Sequence, residues 1–384
     1  MRPAPKFILL LLAGAVPLSA ALCDYHLTPA SPEANLISVG WIADDGQDCA
    51  IRTKDGKSIG VEKVAFEGKT YWNAAIKREK SSGPVEFVVS ASGKSETLGS
   101  IPAEPAGEFR FAVAGDVQGK GPSDKWRKAA DWLASKKPTL FIPVGDLVEQ
   151  GLDSKQWEAF FADGANLFKD TLILPVIGNH DCYKEASGAL GLKPEIYLNQ
   201  FRLPPNGVDG CQGYWYSFNC GDAHFAVLCN FPVGTGLDQK KGEKIQAEWL
   251  ENDLTSCGKK WKFVFFHVPI YSTGPHGGDT ISLAKTWGDI IERHGVNVVF
   301  NGHTHALEIT PPLKDGQPAE KGTVYYNCPG INFSCKPKGG TLTRFAQSED
   351  RMLLTTLVTV SSARVVVATY DLQTGELCDE FKME

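Results

Sequence analysis

The sequence lacks a basic block. Lys and Arg number 39 against 45 Asp and Glu, a formal net charge of -6, and the positive charges are scattered. The electrostatic footprint of a nucleic-acid-binding protein is therefore missing. This argues against a dedicated nuclease while leaving small nucleotides open. Beyond the N-terminus no apolar run reaches the roughly 20 residues that a spanning helix needs. None of the ten cysteines stands in a Cys-x-x-Cys spacing, which disfavours a thiolate zinc site. Internal repeats and low-complexity segments are also absent, and with them the solenoid architectures.

What remains is an ordinary globular composition, 42% hydrophobic and 22% charged over 384 residues, long enough for about two domains. Residues 1–21 read as a signal peptide: Arg2 and Lys6 supply charge, Phe7 to Val16 an apolar core, and Ser19-Ala20-Ala21 a small-residue cleavage site. Without Arg2 and Lys6 the balance is 37 basic against 45 acidic residues, a net charge of -8. The expectation is a secreted or periplasmic protein with no transmembrane segment. Leu22 ahead of Cys23 is too large for a lipoprotein signal. Ten cysteines in an exported chain favour disulfides. Cys23 with Cys49 and Cys328 with Cys335 are the pairs that sequence proximity suggests; the other pairings stay open.

From 22 to 106 short β-type runs alternate with turns. Leu36-Ile37-Ser38-Val39-Gly40-Trp41 and Val85-Glu86-Phe87-Val88-Val89 are examples, with Asp44-Asp45-Gly46 and Lys54-Asp55-Gly56 as turns. This texture predicts a β-sandwich of fibronectin or immunoglobulin type, ended by a linker at Pro102-Ala103-Glu104-Pro105-Ala106-Gly107. From 107 to 384 strands alternate with helices in βαβ fashion. Ser123-Asp124 and Asp153-Ser154 are predicted helix starts. Glu243 to Leu254 and Ile281 to Glu292 read as further helices, and Tyr214 to Leu228 as a hairpin.

The candidate site lies where five apolar runs stop. Phe111-Ala112-Val113-Ala114 leads into Gly115-Asp116-Val117-Gln118. Leu140-Phe141-Ile142-Pro143-Val144 leads into Gly145-Asp146, and Leu172 to Ile177 into Gly178-Asn179-His180-Asp181. Phe263-Val264-Phe265-Phe266 ends at His267, and Val298-Val299-Phe300 at Asn301-Gly302-His303-Thr304-His305. Short apolar runs bounded by glycine read as buried strands, and ligands of open α/β sheets collect beyond the strands' carboxyl ends. Five strands thus deliver Asp, Asp, Asn, His and a His pair to one edge. Any one of these could be a helix cap; all five together point to metal. Carboxylate and imidazole side by side suit iron, zinc or manganese. A pair of such ions roughly 3.5–4 Å apart clamps both oxygens of an in-line displacement and acidifies a bridging water, the chemistry of phosphate-ester hydrolysis.

The ordered set GDVQ, GDLV, GNHD, FFHVP and GHTH resembles the calcineurin-like metallophosphoesterases, over most of the chain from Phe109 onward. With a β-region in front, it is most similar to their purple acid phosphatase branch. The resemblance implies a four-layer α/β/β/α domain behind the fibronectin-like sandwich, and two divalent or trivalent metal ions. It implies that Asp116 and His305 hold the first ion, that Asp146 bridges, and that Asn179, His267 and His303 hold the second. It places His180 beside the substrate as proton donor, with Asp181 orienting it. Gln118 stands where many relatives carry a histidine, and its amide oxygen is a weaker ligand or none. Glu149 stands where purple enzymes carry a tyrosine ligand, which predicts a colourless protein. Ala306-Leu307-Glu308 replaces their usual Tyr-Glu-Arg, so the chain is placed beside that branch.

His276 is a second candidate for contact with substrate phosphate, a plain surface loop being the alternative. His224 and His294 read as structural, and nothing in the sequence argues a role for His26. Tyr214, Trp215 and Tyr216 read as hairpin core, an aromatic substrate wall being the alternative. Asn332-Phe333-Ser334 fits the glycosylation acceptor pattern. The expected function is hydrolysis of small phosphate monoesters. A phosphodiesterase or nucleotide-cleaving enzyme of the same fold is the alternative, and a surface-binding module with a degraded site the third reading.

Overall fold

Two sheets lie face to face because the strands bury apolar side chains on both surfaces. The computed structural model describes residues 25–33, 35–79, 83–91, 95–182, 193–275, 283–347 and 353–384. The proposed leader, Cys23 and His276 fall outside them. The first sheet runs in the order Leu377–Met383, Val365–Asp371, Leu354–Val360, Phe109–Ala114, Leu140–Pro143, Leu172–Ile173, His26–Pro29, Leu36–Asp44, Lys69–Lys77, Glu62–Phe66. The second runs Tyr216–Cys220, Ala223–Val227, Trp261–Phe265, Val298–Asn301, Val324–Asn327, Glu308–Ile309, Phe345–Ala346. Both are mixed, with parallel pairing among the strands that carry the site motifs.

Aromatic rings join the sheets. Phe111 of the first meets Phe225, Phe263, Phe265 and Phe300 of the second edge-on, with centroids 5.0–6.3 Å apart, the geometry that ring quadrupoles favour. Helices cover the outer faces. Asp124–Ser135 begins where the Ser123 hydroxyl accepts the Trp126 N–H, and Ser154–Phe168 where Asp153 accepts the Lys155 N–H, as their cap residues predict. Trp126 stacks on Phe141 and Phe160 beneath them. On the other side Leu250 and Leu254 of Gln239–Ser256, with Trp287 and Ile291, pack on Val264, Phe266 and Val299. Asp238 caps that helix by accepting the Lys241 N–H, which starts it four residues ahead of the apolar pattern. The helix expected at Ile281 to Glu292 is a π-turn, Ala284–Gly288, continuing into Asp289–Arg293.

The predicted sandwich segment supplies one end of the first sheet and a separate four-stranded sheet, Ser58–Ile59, Cys49–Thr53, Val85–Ala91, Ser95–Ile101. It does not stand apart. Leu27 pairs in parallel with Leu172, so the first sheet continues across the expected boundary at 106. Buried residues on both sides belong to one contiguous core. Without that pairing Leu172–Ile173 would present an open edge.

The expected Cys328–Cys335 disulfide is not formed, and the Cys23–Cys49 pair lies partly outside the described residues. Cys182, Cys211, Cys220, Cys229, Cys257, Cys328 and Cys335 are free thiols. Cys328 is buried against Gly115 rather than turned to Cys335. No helix among the described residues is long and apolar enough to cross a membrane.

Candidate metal centre

The motif strands release their ligands at one edge through strained backbone. Seven non-glycine residues among those described have positive φ, and four are Asp116 (47°), Asp146 (53°), His303 (67°) and His305 (53°). The left-handed region costs a non-glycine residue of order 1–3 kcal/mol and concentrates at functional sites. Here it turns each strand end sharply enough to aim the side chain back across the edge. Two glycines leave room for this. A Cβ on Gly178 would lie 2.1 Å from Asp146 Oδ1, and one on Gly145 2.3 Å from His267 Nδ1. Larger residues at either position would push a ligand out of place.

The donor atoms converge. His267 Nε2 lies 3.1 Å from Asp146 Oδ2 and 3.1 Å from Asn179 Oδ1, and His303 Nδ1 lies 3.0 Å from the same Asn179 oxygen. On the other side His305 Nε2 is 3.4 Å from Asp116 Oδ1. Two groups of ligand atoms result, Asp146 with His267 and His303, and Asp116 with Asp146 and His305, each within 4.8 Å. Asp146 belongs to both. A second layer fixes the rings: His267 Nδ1–H donates to the Val144 carbonyl (2.7 Å), turning Nε2 into the site. The Asp116 carboxylate also accepts the His303 N–H.

Buried carboxylates set the electrostatics. Burial favours the neutral form of Asp146, yet His267 and His180 outweigh it and hold this carboxyl at about 2. Burial likewise opposes charge on His267, but Asp146 raises its ring to about 9. His305 is raised against burial by Asp116. Concentrated negative charge of this kind is what a cation satisfies.

Gln118 passes a test of fit. Its side chain is buried, its amide nitrogen lies 3.3 Å from His305 Nε2, and its Oε1 has no hydrogen-bond partner. Amide oxygen and nitrogen are interchangeable by rotation, so an acceptor stands ready beside Asp116 and His305. The donor set, imidazole with carboxylate and amide oxygen, fits two borderline or hard cations.

His180 and Asp181 divide their work differently from the expectation. The Asp181 carboxylate accepts N–H bonds from Asp146 (3.0 Å), Leu147 (2.9 Å), Val148 (3.4 Å) and Gly178 (2.8 Å). Burial and then the Asp146 charge push its carboxyl up to about 7, against the pull of the Gly178 and Leu147 N–H groups. Asp181 thus staples two ligand loops together rather than orienting His180. Glu149 orients it: His180 Nδ1–H donates to the Glu149 carbonyl at 3.1 Å, with the Glu149 carboxylate 3.7 Å away. No sequence pattern marks a backbone carbonyl, so this partner was not foreseeable.

Other singled-out residues settle into structure. Tyr214, Trp215 and Tyr216 are buried, and Tyr216 donates to the Pro175 carbonyl, so they form core and no substrate wall. His224 lies between Asn219 and Asp253. His294 follows the helix Asp289–Arg293 and bonds Glu251. Asn332 donates both amide hydrogens inward, to the Val117 and Gln118 carbonyls; it clamps the metal-site loop instead of offering its nitrogen to a glycan. Glu308, unremarked as a site residue in the sequence, accepts the Thr273 N–H and the Thr273 and Thr343 hydroxyls. It thereby ties the loop after His267 to the segment after His305.

The profile of the calcineurin-like phosphoesterases matches residues 109–307, and the chain belongs to that family. Among curated relatives it is 25% identical to probable purple acid phosphatase 20 of Arabidopsis thaliana over 250 residues, covering 63% of this chain and 56% of that protein. It is 27% identical to purple acid phosphatase 15 of the same plant over 243 residues, covering 56% and 43%. The chain spans about half the length of these relatives. Purple acid phosphatase PPD1 from yellow lupin (Lupinus luteus) seeds superposes with a TM-score of 0.71 at 15% identity, over 94% of this chain and 73% of that one. PhoD superposes at 0.65 and 13% identity, over 96% and 93%. These structures establish the shared fold.

Proposed function

We propose that the chain is an exported, binuclear-metal phosphoesterase that hydrolyses phosphate monoesters of small molecules. The supporting observation is Asp146, one carboxylate shared by two ligand groups, an arrangement suited to a metal pair rather than to a three-ligand zinc. In this reading Asp116, His305 and Gln118 would hold one ion, Asn179, His267 and His303 would hold the other, and Asp146 would serve both. Iron, zinc and manganese each suit the set. When bound, the pair supplies Lewis acidity toward the phosphoryl group and water. The chain's own residues do the rest. His180, its Nδ1–H held by the Glu149 carbonyl, is the group placed to donate to a phosphate oxygen or to protonate the leaving oxygen. Asp181 holds the backbone at 146–148 and at 178 so that Asp146 and Asn179 keep their places. Residues 1–21 are the leader in this reading, 22–106 a fibronectin-like region built onto the first sheet, and 107–384 the metallophosphoesterase region.

The intact ligand set speaks against a degraded surface-binding module. The test loads the mature protein with manganese, zinc or iron and compares an aryl phosphate monoester with the corresponding diester. Preference for the monoester is expected; preference for the diester would transfer the reading to a phosphodiesterase. Asp146→Asn should lower turnover by about a hundredfold or more and reduce bound metal measured by elemental analysis, with the circular dichroism unchanged. A folded Asp146→Asn protein of undiminished activity would sink the two-metal mechanism.

A further inference from the structure

Four large apolar side chains are exposed among the described residues: Val61, Leu98, Leu377 and Phe333. The first three belong to the N-terminal segment or the last strand. Phe333 is different, because its ring lies against the metal centre. It stacks on the ring of His305 with centroids 5.9 Å apart and planes 23° from parallel, and it stays 49% exposed.

The backbone around it is tightly held. Asn332 is anchored through the Val117 and Gln118 carbonyls (2.8 and 3.0 Å), its Oδ1 accepts the Ser123 hydroxyl (2.5 Å), and its carbonyl accepts Lys125 Nζ (3.1 Å). On the other side the Ser334 hydroxyl accepts from Gln347 Nε2 (2.6 Å), and the Cys335 N–H donates to the His305 carbonyl (2.7 Å). The turn is closed so tightly that a Cβ on Gly330 would lie 1.9 Å from the Phe333 carbonyl oxygen. Every neighbour is tied inward while the phenyl ring is left outward. An apolar ring gains by leaving water, and a rigidly presented one loses little conformational freedom on contact. One face of this ring is already backed by a metal-site histidine.

We propose that Phe333 is the stacking platform for an aromatic group esterified to the substrate phosphate, an aryl ring or a nucleobase. The inference rests on the phosphoesterase reading above and adds the class of substrate. With the phosphate at the metal centre, a flat group attached to it reaches the ring beside His305, whereas an aliphatic polyol gains nothing there. Stacking of a base on an aromatic side chain is sequence-tolerant, so this platform selects flatness rather than a particular ring.

Steady-state kinetics on phenyl phosphate, a nucleoside 5′-monophosphate and glycerol phosphate test it in the metal-loaded protein, wild type against Phe333→Ala and Phe333→Tyr. In Phe333→Ala the preference in kcat/KM for an aromatic ester over glycerol phosphate should fall about tenfold, carried by KM. Phe333→Tyr should keep it. Calorimetric binding of phenylphosphonate against methylphosphonate gives a readout without turnover, and the same selective loss is expected. A larger effect on the nucleotide assigns the platform to a base, and a larger effect on phenyl phosphate to an aryl ring. Equal loss on all three esters, or no loss, overturns the inference while leaving the phosphoesterase reading intact. Failure of the wild-type protein to hydrolyse any of them overturns that reading first.

Discussion

Asp116, Asp146, Asn179, His267, His303 and His305 were legible one residue at a time, because each follows an apolar run and each is a metal-ligand type. Their convergence within 3.0–3.4 Å contacts confirms the proximity that the pattern could only suggest. Glu149 shows the limit of such reading. Its side chain was legible as the absence of a tyrosine, but its contact with His180 runs through a main-chain oxygen, which every residue possesses. The absence still carries a consequence. With a carboxylate three residues after Asp146, an iron(III)-loaded protein is expected to show no tyrosinate charge-transfer colour. An absorption spectrum decides this, and a visible band that survives removal of excess iron would place a phenolate in the site after all.

At the scale of elements, cap residues located helices well because capping is a local hydrogen bond, and strand ends located the site because a parallel sheet presents them together. Pairing partners were not local. The strand His26–Pro29 illustrates this, since it lies between Leu172–Ile173 and Leu36–Asp44. His26 there is fully enclosed, stacked on Phe161 at 4.5 Å with its Nε2–H donated to the Gln200 carbonyl (3.0 Å). Burial drives its ring down to about 4, against the pull of the Gln200 carbonyl. A ring neutral in the folded state and with a pKa of about 6.5 when unfolded stabilises fully above that value. Its contribution is lost as pH falls from about 6.5 through 4, because the unfolded chain binds the proton more readily. Wild-type stability is expected to drop by up to about 3 kcal/mol more than that of His26→Phe across this window. Urea unfolding of both proteins at pH 7 and pH 4 measures it. Parallel losses would show that His26 is not the group being titrated.

For the whole molecule, the continuous first sheet and the single core that spans the expected domain boundary predict cooperative unfolding. Calorimetry should give one transition, with calorimetric and van't Hoff enthalpies in agreement; two resolved transitions would mean that residues 22–106 unfold on their own. By itself the amino-acid sequence determined what is local: where strands stop, which helices are capped, and which residue types stand ready for cations, since these follow from neighbours along the chain. Only the tertiary structure decided what depends on meeting across it. It joined the N-terminal strands to the Leu172 edge, gave His180 to Glu149 and Asp181 to the backbone, and left Phe333 outward beside His305. Those outcomes turn on which side chain or carbonyl arrives within reach from another element, about thirty residues away for His180 and Glu149 and across most of the N-terminal half for Leu27 and Leu172, and no local pattern carries that distance.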